Sequence, residues 1–245
     1  MIQFKDVTFL RGNRTILNDL TFSIDTSERI AILGGSGEGK TTVLRLIMRL
    51  LTPDSGKIVI DGTDITHLSE SAMTSIRRKF SIVFQDGALF DSLNVKENVA
   101  FYLREYTSLN EYEIDRKVRE LLSVVGVEEA IDLMPEELSG GMLRRVAIAR
   151  SLAAQEPKMF LYDEPTSDLD PLSAAKIRSL ILNLAGRSRG FIIVTHEILD
   201  ALKLANRFMF LKKGTILFDG TKEELLHTEV PELKIFLGDW NEENR

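Results

Sequence analysis

The sequence predicts an α/β fold with a mostly parallel sheet, and two observations lead to that prediction. Short apolar runs alternate with helical patterns along most of the chain, as expected for parallel strands joined by helices. One of these runs, residues 30–33, leads directly into a glycine-rich loop that is followed by a helical pattern. We therefore expect the loop to lie at the carboxyl edge of the sheet.

Composition limits the classes of protein that this chain can belong to. A length of 245 residues with 44% hydrophobic content is enough for one large domain with a substantial core. The net charge of −6 disfavours a general nucleic-acid binder. With no cysteine, thiolate metal sites and disulfides are excluded. No signal peptide or membrane-spanning run is visible, so we expect a cytoplasmic protein.

The first part of the chain predicts an antiparallel β subdomain beside the loop. Alternating apolar and polar residues at 2–9 and at 20–24 predict two strands, and residues 11–14 predict a turn between them. Beyond the loop, we expect a helix over 43–51 and strands over 57–60 and 81–84.

The pattern then becomes helical, which predicts a helical subdomain inserted at 91–138. Its clearest periodicity, at steps of three and four, is carried by Ile114, Val118, Leu121, Leu122 and Val125. The core resumes with a helix from about 142, a strand at 159–162, a helix at 173–184 and a strand at 191–194. Residues 1–245 thus form one domain, with the core and β subdomain at 1–90 and 139–225.

Residues 226–245 are expected to form a C-terminal helix and an acidic tail. Leu233, Phe236, Leu237 and Trp240 have the spacing of one helical face. We expect this face to pack on its own domain, and contact with a second copy of the chain is the alternative.

The loop itself fits the phosphate-binding pattern G-x-x-x-x-G-K-[ST], with Gly34, Gly39, Lys40 and Thr41 in place. Its backbone N–H groups would surround phosphate oxygens, Lys40 would reach the β- and γ-phosphates, and Thr41 would bind Mg²⁺. The residues predicted to bind ATP are Gly35, Ser36, Gly37, Glu38, Gly39, Lys40, Thr41 and Thr42. A flexible turn is the alternative, but the complete motif between a strand and a helix favours a phosphate-loop NTPase core of the RecA-like kind.

Two carboxylates, Asp163 and Glu164, end the apolar run at 159–162. Beside a phosphate loop, Asp163 would hold Mg²⁺, and Glu164 would orient or deprotonate the water that attacks the γ-phosphate. Taken alone, such a sequence is explained better by a strand that enters a turn, but the phosphate loop upstream favours the catalytic interpretation.

A second anion site is predicted at Ser139, Gly140 and Gly141, which precede a helix. A serine hydroxyl, two glycine backbones and a helix N-terminus can together bind phosphate. An ordinary helix cap is the alternative.

These motifs, in this order, resemble those of the ATP-binding cassette family of transporter ATPases over residues 1–225. The matching segments are the Walker A loop at 34–42, the Q-loop at Gln85, the signature motif at 138–142, the end of Walker B at 162–164, the D-loop at 167–170 and the switch histidine at 195–197.

The resemblance implies that two copies meet head to tail and enclose ATP, so that a lone subunit is a poor ATPase. ATP would lie between the phosphate loop of one copy and Ser139, Gly140 and Gly141 of the other, with Asp168 coupling the two sites. His196 would contact the γ-phosphate.

Gln85 would link Mg²⁺ to the transport partner. Glu164, His196, Lys40 and Gln85 are therefore the candidate catalytic residues, and Thr41, Gln85 and Asp163 the candidate metal ligands.

Three residues depart from the family pattern. Arg11 occupies the place of an aromatic residue that stacks on adenine, and a guanidinium plane can stack on a base. A solvated turn arginine is the alternative, and Phe9 is disfavoured because it falls within a strand. Met142 replaces the usual signature glutamine. Glu38 places a carboxylate in the phosphate loop, so we expect its side chain to point outward.

Residues 84–90, residues 11–14 and Met142 are similar to those of ATPases from Mla-type phospholipid-trafficking systems, although residues 166–170 follow the general cassette pattern more closely. The similarity implies a membrane permease that docks near Gln85 and the helical subdomain, a lipid-binding protein of the mammalian-cell-entry type, and no nucleic acid. The ATPase would be peripheral on the inner membrane through that permease.

Two alternatives to a lipid system remain open. One is the ATPase of another importer or exporter, for amino acids or hydrophobic solutes. The other is a soluble cassette ATPase in translation or DNA repair, although such proteins commonly carry two cassettes or a long coiled coil, neither of which the sequence contains.

Overall fold

The computed structural model describes residues 1–154, 157–186 and 189–238. The strands in these ranges form an antiparallel sheet in the order β2-β1-β4-β5 and a second sheet in the order β10-β9-β3-β8-β7-β6. The strands are β1 (Ile2–Arg11), β2 (Arg14–Ile24), β3 (Arg29–Leu33), β4 (Ser55–Ile60), β5 (Thr63–Asp64), β6 (Phe80–Val83), β7 (Met159–Asp163), β8 (Gly190–Thr195), β9 (Arg207–Lys212) and β10 (Thr215–Thr221).

Helices cover the faces of the second sheet and fill the interval between β6 and β7. They are α1 (Lys40–Ile47), α2 (Glu70–Arg77), α3 (Val95–Tyr106), α4 (Glu111–Val125), α5 (Gly140–Ala153), α6 (Pro171–Ala185), α7 (Ile198–Leu204), α8 (Lys222–Leu226) and α9 (Pro231–Leu237), with 3₁₀ turns at Glu128–Ala130 and Pro135–Glu137. None of the helices in the described ranges combines the length and hydropathy needed to span a membrane.

The predicted antiparallel pair near the N-terminus is confirmed. Ile2 pairs with Ile24 and Phe4 with Phe22, and the two phenylalanine rings stack with centroids 4.5 Å apart. The alternation of side chains buries one face of β1, because successive residues of a strand point to opposite sides.

The mostly parallel sheet is also confirmed. Strands β9, β3, β8, β7 and β6 run parallel to their neighbours, and β10 pairs antiparallel with β9. Every residue of β7 and β8 is buried, as expected when helices or another sheet cover both faces. Because the parallel strands share one direction, their carboxyl ends meet at one edge.

Each face of the second sheet belongs to its own apolar core. Ala31 and Leu33 contribute to a core shared with α3, α4, α5 and α6, whereas Ile30 and Ile32 contribute to a core shared with α1 and the antiparallel sheet. The strand β3 therefore anchors the loop that follows it from both sides.

The sequence placed the first helix incorrectly at both ends. It was expected over 43–51, but α1 begins at Lys40, directly after Gly39, and ends at Ile47. Arg49 takes a positive φ of 52°, and the N–H of Leu50 bonds back to the carbonyl of Arg45 at 2.8 Å. This turn stops the helix although the residues remain apolar.

The segment after β6 is held in a bent conformation by α3 and α5. Gly87 and Ala88 both have positive φ, and Arg150 on α5 donates to their carbonyl oxygens at 3.0 and 2.6 Å. Asn98 on α3 is fully buried, accepts from the N–H of Phe90 and donates to its carbonyl. These bonds fix the chain that follows Gln85.

We expect Asn98→Ala to lower the free energy of unfolding by about 2–4 kcal/mol, because it leaves several buried backbone groups without partners. Urea unfolding measures the change. Asn94→Ala is the matched control, since it removes only the cap of the same helix, which is worth about 1 kcal/mol. Equal losses of unfolding free energy for the two variants would contradict the role of Asn98 in holding the segment that follows Gln85.

Candidate active site

A cavity of about 920 Å³ lies at the carboxyl edge of the second sheet. Its lining includes the phosphate loop after β3, Gln85 after β6, Glu164 after β7 and His196 after β8. The structure thus brings together predicted residues from four separate strand ends. The site residues lining it are Arg11, Gly35, Ser36, Gly37, Gly39, Lys40, Thr41, Thr42, Gln85, Glu164 and His196.

The phosphate loop owes its shape to Gly39. This residue has φ 102°, which L side chains rarely adopt, and a Cβ there would lie 2.8 Å from Leu17 Cδ2. Gly39 also precedes the first residue of α1, so the positive end of the helix dipole faces the cavity. The loop can therefore present backbone N–H groups to an anion, as its motif predicts.

Lys40 is buried and has three oxygen partners. Its Nζ donates to the carbonyl oxygens of Gly34 at 2.9 Å and Gly35 at 3.0 Å, and it lies 3.2 Å from Glu164 Oε1. The side chains of Lys40 and Glu164 are only 6% and 8% exposed, so the pair is largely shielded from solvent. The ammonium group therefore ties the phosphate loop to the end of β7.

The second carboxylate oxygen of Glu164 faces the switch histidine. His196 Nδ1 lies 3.0 Å from Glu164 Oε2, and the backbone N–H of His196 donates to the same oxygen at 3.3 Å. Glu164 has a positive φ of 46°, an uncommon conformation for a residue other than glycine and one found at functional sites. One oxygen thus faces Lys40 and the other His196.

Thr41 and Asp163 are in direct contact behind the loop. Thr41 Oγ1 donates to Asp163 Oδ1 at 2.8 Å. Burial, together with the negative charge of Glu164, raises the pKa of Asp163, although the bond from Thr41 opposes the rise. A hydroxyl and a buried carboxylate beside a phosphate loop are the ligand types that Mg²⁺ takes, so these residues fit that ion.

The lining of the cavity also includes Phe9, Arg11, Arg14 and Ile16 from the first two strands. Arg11 thus lines the cavity, and its stacking on adenine stays a prediction. Phe9 lies within a strand, as expected, but it also lines the cavity, so its place in the strand is no reason to disfavour it. The pairing of β1 with β2 shifts register on both sides of Phe9, and such bulges redirect side chains.

Glu38 points outward, as the sequence predicted. Its carboxylate binds Lys212 and the backbone of Lys213, and the side chain is absent from the described residues that line the large cavity. Lys212 was not predicted because it lies 174 residues from Glu38, with no local pattern that connects them.

The remaining predicted residues lie elsewhere. Ser139 is the N-cap of α5 and accepts from the N–H of Met142 at 3.3 Å. Ser139, Gly140 and Asp168 are exposed, and Gly140 and Gly141 pack against Leu169 and Ser173. Within the described ranges, this surface does not line the cavity of the phosphate loop.

The C-terminal helix packs on its own domain, as expected. Leu233 and Leu237 are buried, and the ring of Phe236 lies 5.1 Å from that of Phe210. Phe236 also lines the large cavity, which its helical spacing could not reveal. Trp240 and the acidic tail lie outside the described residues.

Comparison with known proteins identifies relatives of the whole chain. The family model described as ABC transporter matches residues 17–167. The chain is 39% identical, over 94% of its own length and 87% of the relative, to the intermembrane phospholipid transport system ATP-binding protein MlaF of Haemophilus influenzae. It is also 39% identical to the probable ribonucleotide transport ATP-binding protein mkl of Mycobacterium leprae, over 96% of this chain and 68% of that protein.

Among solved structures, the chain is similar to the ATP-binding cassette MJ0796, described as a dimer in a post-hydrolysis state bound to ADP and Pi. The TM-score is 0.83 at 32% identity, and the match covers 90% of this chain and 98% of the other.

We expect Arg11→Ala to weaken ATP binding about tenfold, because stacking on a base is worth about 1–3 kcal/mol. Titration calorimetry with ATP and with GTP measures the loss, and Lys5→Ala, an exposed position on the same strand, is the control. Unchanged affinity for both nucleotides would exclude stacking by Arg11.

Proposed function

We propose, on the premise that this chain belongs to the ABC transporter family, that it is the ATPase subunit of a phospholipid transport system. Family membership makes the chain an ABC ATPase, which binds ATP and hydrolyses it to ADP and phosphate. The transported substrate, the partners and the residue roles given below are the proposal.

The proposal rests chiefly on one observation: the predicted phosphate-binding residues lie on two separate surfaces of the chain. Lys40, Glu164 and His196 meet at one cavity, whereas Ser139 and Gly140 lie on an exposed surface elsewhere, with Gly141 buried next to them. A head-to-tail pair of chains would join each cavity to the other copy's Ser139 surface. In that arrangement Gly140 and Gly141 would bind the γ-phosphate in trans, and Asp168 would couple the sites.

Hydrolysis would use the contacts around Glu164. Its carboxylate would take a proton from the water as the water oxygen attacks the γ-phosphorus and the bond to the β–γ bridging oxygen breaks. Lys40 and the loop N–H groups would stabilise the charge on the phosphate oxygens. His196, already 3.0 Å from Glu164, would hold that carboxylate and contact the γ-phosphate.

Thr41, Asp163 and Gln85 would hold Mg²⁺. When bound, the ion would neutralise charge on the β- and γ-phosphate oxygens. Thr41 and Asp163 are already adjacent, so little movement of either side chain is needed to share a ligand sphere. Gln85 is exposed at the rim of the same cavity, where it could also contact a transport partner.

The permease would dock beside Gln85 and the helical segment. Phe90 and Phe101 are exposed there, with ring centroids 4.9 Å apart, and they form an apolar surface suited to burial by a partner. The similarity to MlaF, whose name refers to intermembrane phospholipid transport, supports phospholipid as the substrate. The proposal also includes a lipid-binding protein of the mammalian-cell-entry type in the complex and a position at the cytoplasmic face of the inner membrane.

A second candidate is transport of another solute. The similarity to mkl, whose name refers to ribonucleotide transport, favours this alternative at the same identity. That match covers a smaller part of the relative than the match to MlaF does. The segment 84–90 further supports the phospholipid system.

We expect Glu164→Gln to retain ATP binding while turnover falls roughly 10²–10⁴-fold, the usual contribution of a general base. Steady-state ATPase assays and equilibrium binding separate the two effects. Lys40→Ala is the comparison variant, and it should weaken binding and activity together. Turnover close to normal in Glu164→Gln would exclude that carboxylate as the base.

We also expect the Glu164→Gln chain, incubated with ATP, to co-purify from detergent-solubilised membranes with a permease, a mammalian-cell-entry protein and phospholipid. The same chain without ATP is the control for nucleotide-dependent assembly. Mass spectrometry identifies proteins and lipids. A permease recovered without lipid would contradict the substrate, and recovery with ribosomes or DNA would contradict a transport role.

A further inference from the structure

The carboxylate of Glu38 connects the phosphate loop to the hairpin formed by β9 and β10. Oε1 accepts a bond from Lys212 Nζ at 2.7 Å, and Oε2 accepts one from the backbone N–H of Lys213 at 2.6 Å. The Glu38 side chain is only 16% exposed. Charge-assisted bonds of this length and burial are stronger than those of a solvated surface pair.

The same hairpin touches the start of the loop. A Cβ on Gly34 would lie 2.5 Å from the carbonyl oxygen of Leu211, so the two backbones are in close contact. Between the later loop residues and the hairpin, however, lies a second cavity of about 280 Å³ whose lining includes Ser36 and Lys213. Packing alone therefore leaves a gap at this point, and Glu38 spans it.

The hairpin also contacts β2, which lines the large cavity as well. The N–H of Asn18 donates to the carbonyl of Gly214 at 2.9 Å, and a Cβ on Gly214 would lie 2.7 Å from the carbonyl oxygen of Ile16. Ile16 lines the large cavity. The hairpin therefore contacts both β2 and the phosphate loop, and Glu38 is the side chain that bonds the later loop residues to the hairpin.

We propose that Glu38 is a positioning residue for ATP binding: through Lys212 and the Lys213 N–H it holds the later part of the phosphate loop, residues 36–38, against the hairpin. The loop N–H groups then meet the phosphates while the base occupies the other end of the cavity. Glu38 bonds to the hairpin and not to Glu164 or His196, so we expect its loss to act on ATP binding more than on turnover.

The positioning role and simple charge repulsion predict opposite effects on ATP binding when the Glu38 carboxylate is removed. A carboxylate in a phosphate loop repels a triphosphate, so its removal would strengthen ATP binding if charge alone mattered. Removal of a link that holds the loop in place would weaken binding instead.

The test compares Glu38→Ala, Glu38→Gln, Lys212→Met and the double variant Glu38→Ala/Lys212→Met in the full chain. ATP is titrated in steady-state ATPase assays and by calorimetry, and urea unfolding checks the fold. Lys213→Met is the matched control, because Lys213 contributes its backbone N–H rather than its side chain.

We expect Glu38→Ala to raise KM and the dissociation constant for ATP about 3- to 30-fold, with kcat within about twofold of the original. Glu38→Gln, which retains an acceptor oxygen, should show a smaller rise. The double variant should resemble Glu38→Ala, and Lys213→Met should match the original chain.

A lower or unchanged KM in Glu38→Ala would overturn the proposal, as would a fall in kcat without a change in KM. If Glu38→Ala fails to fold, ATP binding by Lys212→Met and by Glu38→Gln/Lys212→Met tests the proposal instead. Weaker ATP binding in both supports the link, whereas recovery of the original affinity in the double variant indicates repulsion alone.

Discussion

The buried ammonium group of Lys40 is the charge that holds together the residues at the carboxyl edge of the second sheet. It is nearly excluded from solvent, and an isolated cation there would be costly. Two loop carbonyls and Glu164 surround it, so the phosphate loop and the end of β7 are held together by one buried contact. A triphosphate that enters the cavity meets this cation together with the loop N–H groups.

Sheet order explains why that contact can form. β8 lies between β3 and β7, so His196 follows the middle strand and lies beside Glu164, whose other carboxylate oxygen faces Lys40. The antiparallel sheet contributes Arg11 and Phe9 to the lining of the same cavity. The cavity is therefore lined by residues from two sheets, which are joined in part through the hairpin that Glu38 contacts.

The sequence could place a site residue where its functional motif coincides with a local pattern, such as the end of an apolar strand. Glu164 and His196 each come directly after a buried strand, so a parallel sheet alone predicts that they lie close together. Phe9 could not be placed, because a bulge and not its strand period decides where it points. Lys212 and Phe236 lie far along the chain from the loop, and tertiary contacts, which no local spacing encodes, bring them to it. The strands β9 and β10 and the helix α2 were also missed, since their residues carry no motif.

A mixing experiment tests most directly whether the complete site is shared by two chains. Lys40→Ala disables the cavity, and Ser139→Arg blocks the opposite surface, so each variant alone should be nearly inactive. In an equimolar mixture, half of the pairs would contain both, and each such pair would have one intact site of two. The account predicts recovery approaching one quarter of the original ATPase rate. No recovery at any mixing ratio would contradict a site shared between copies.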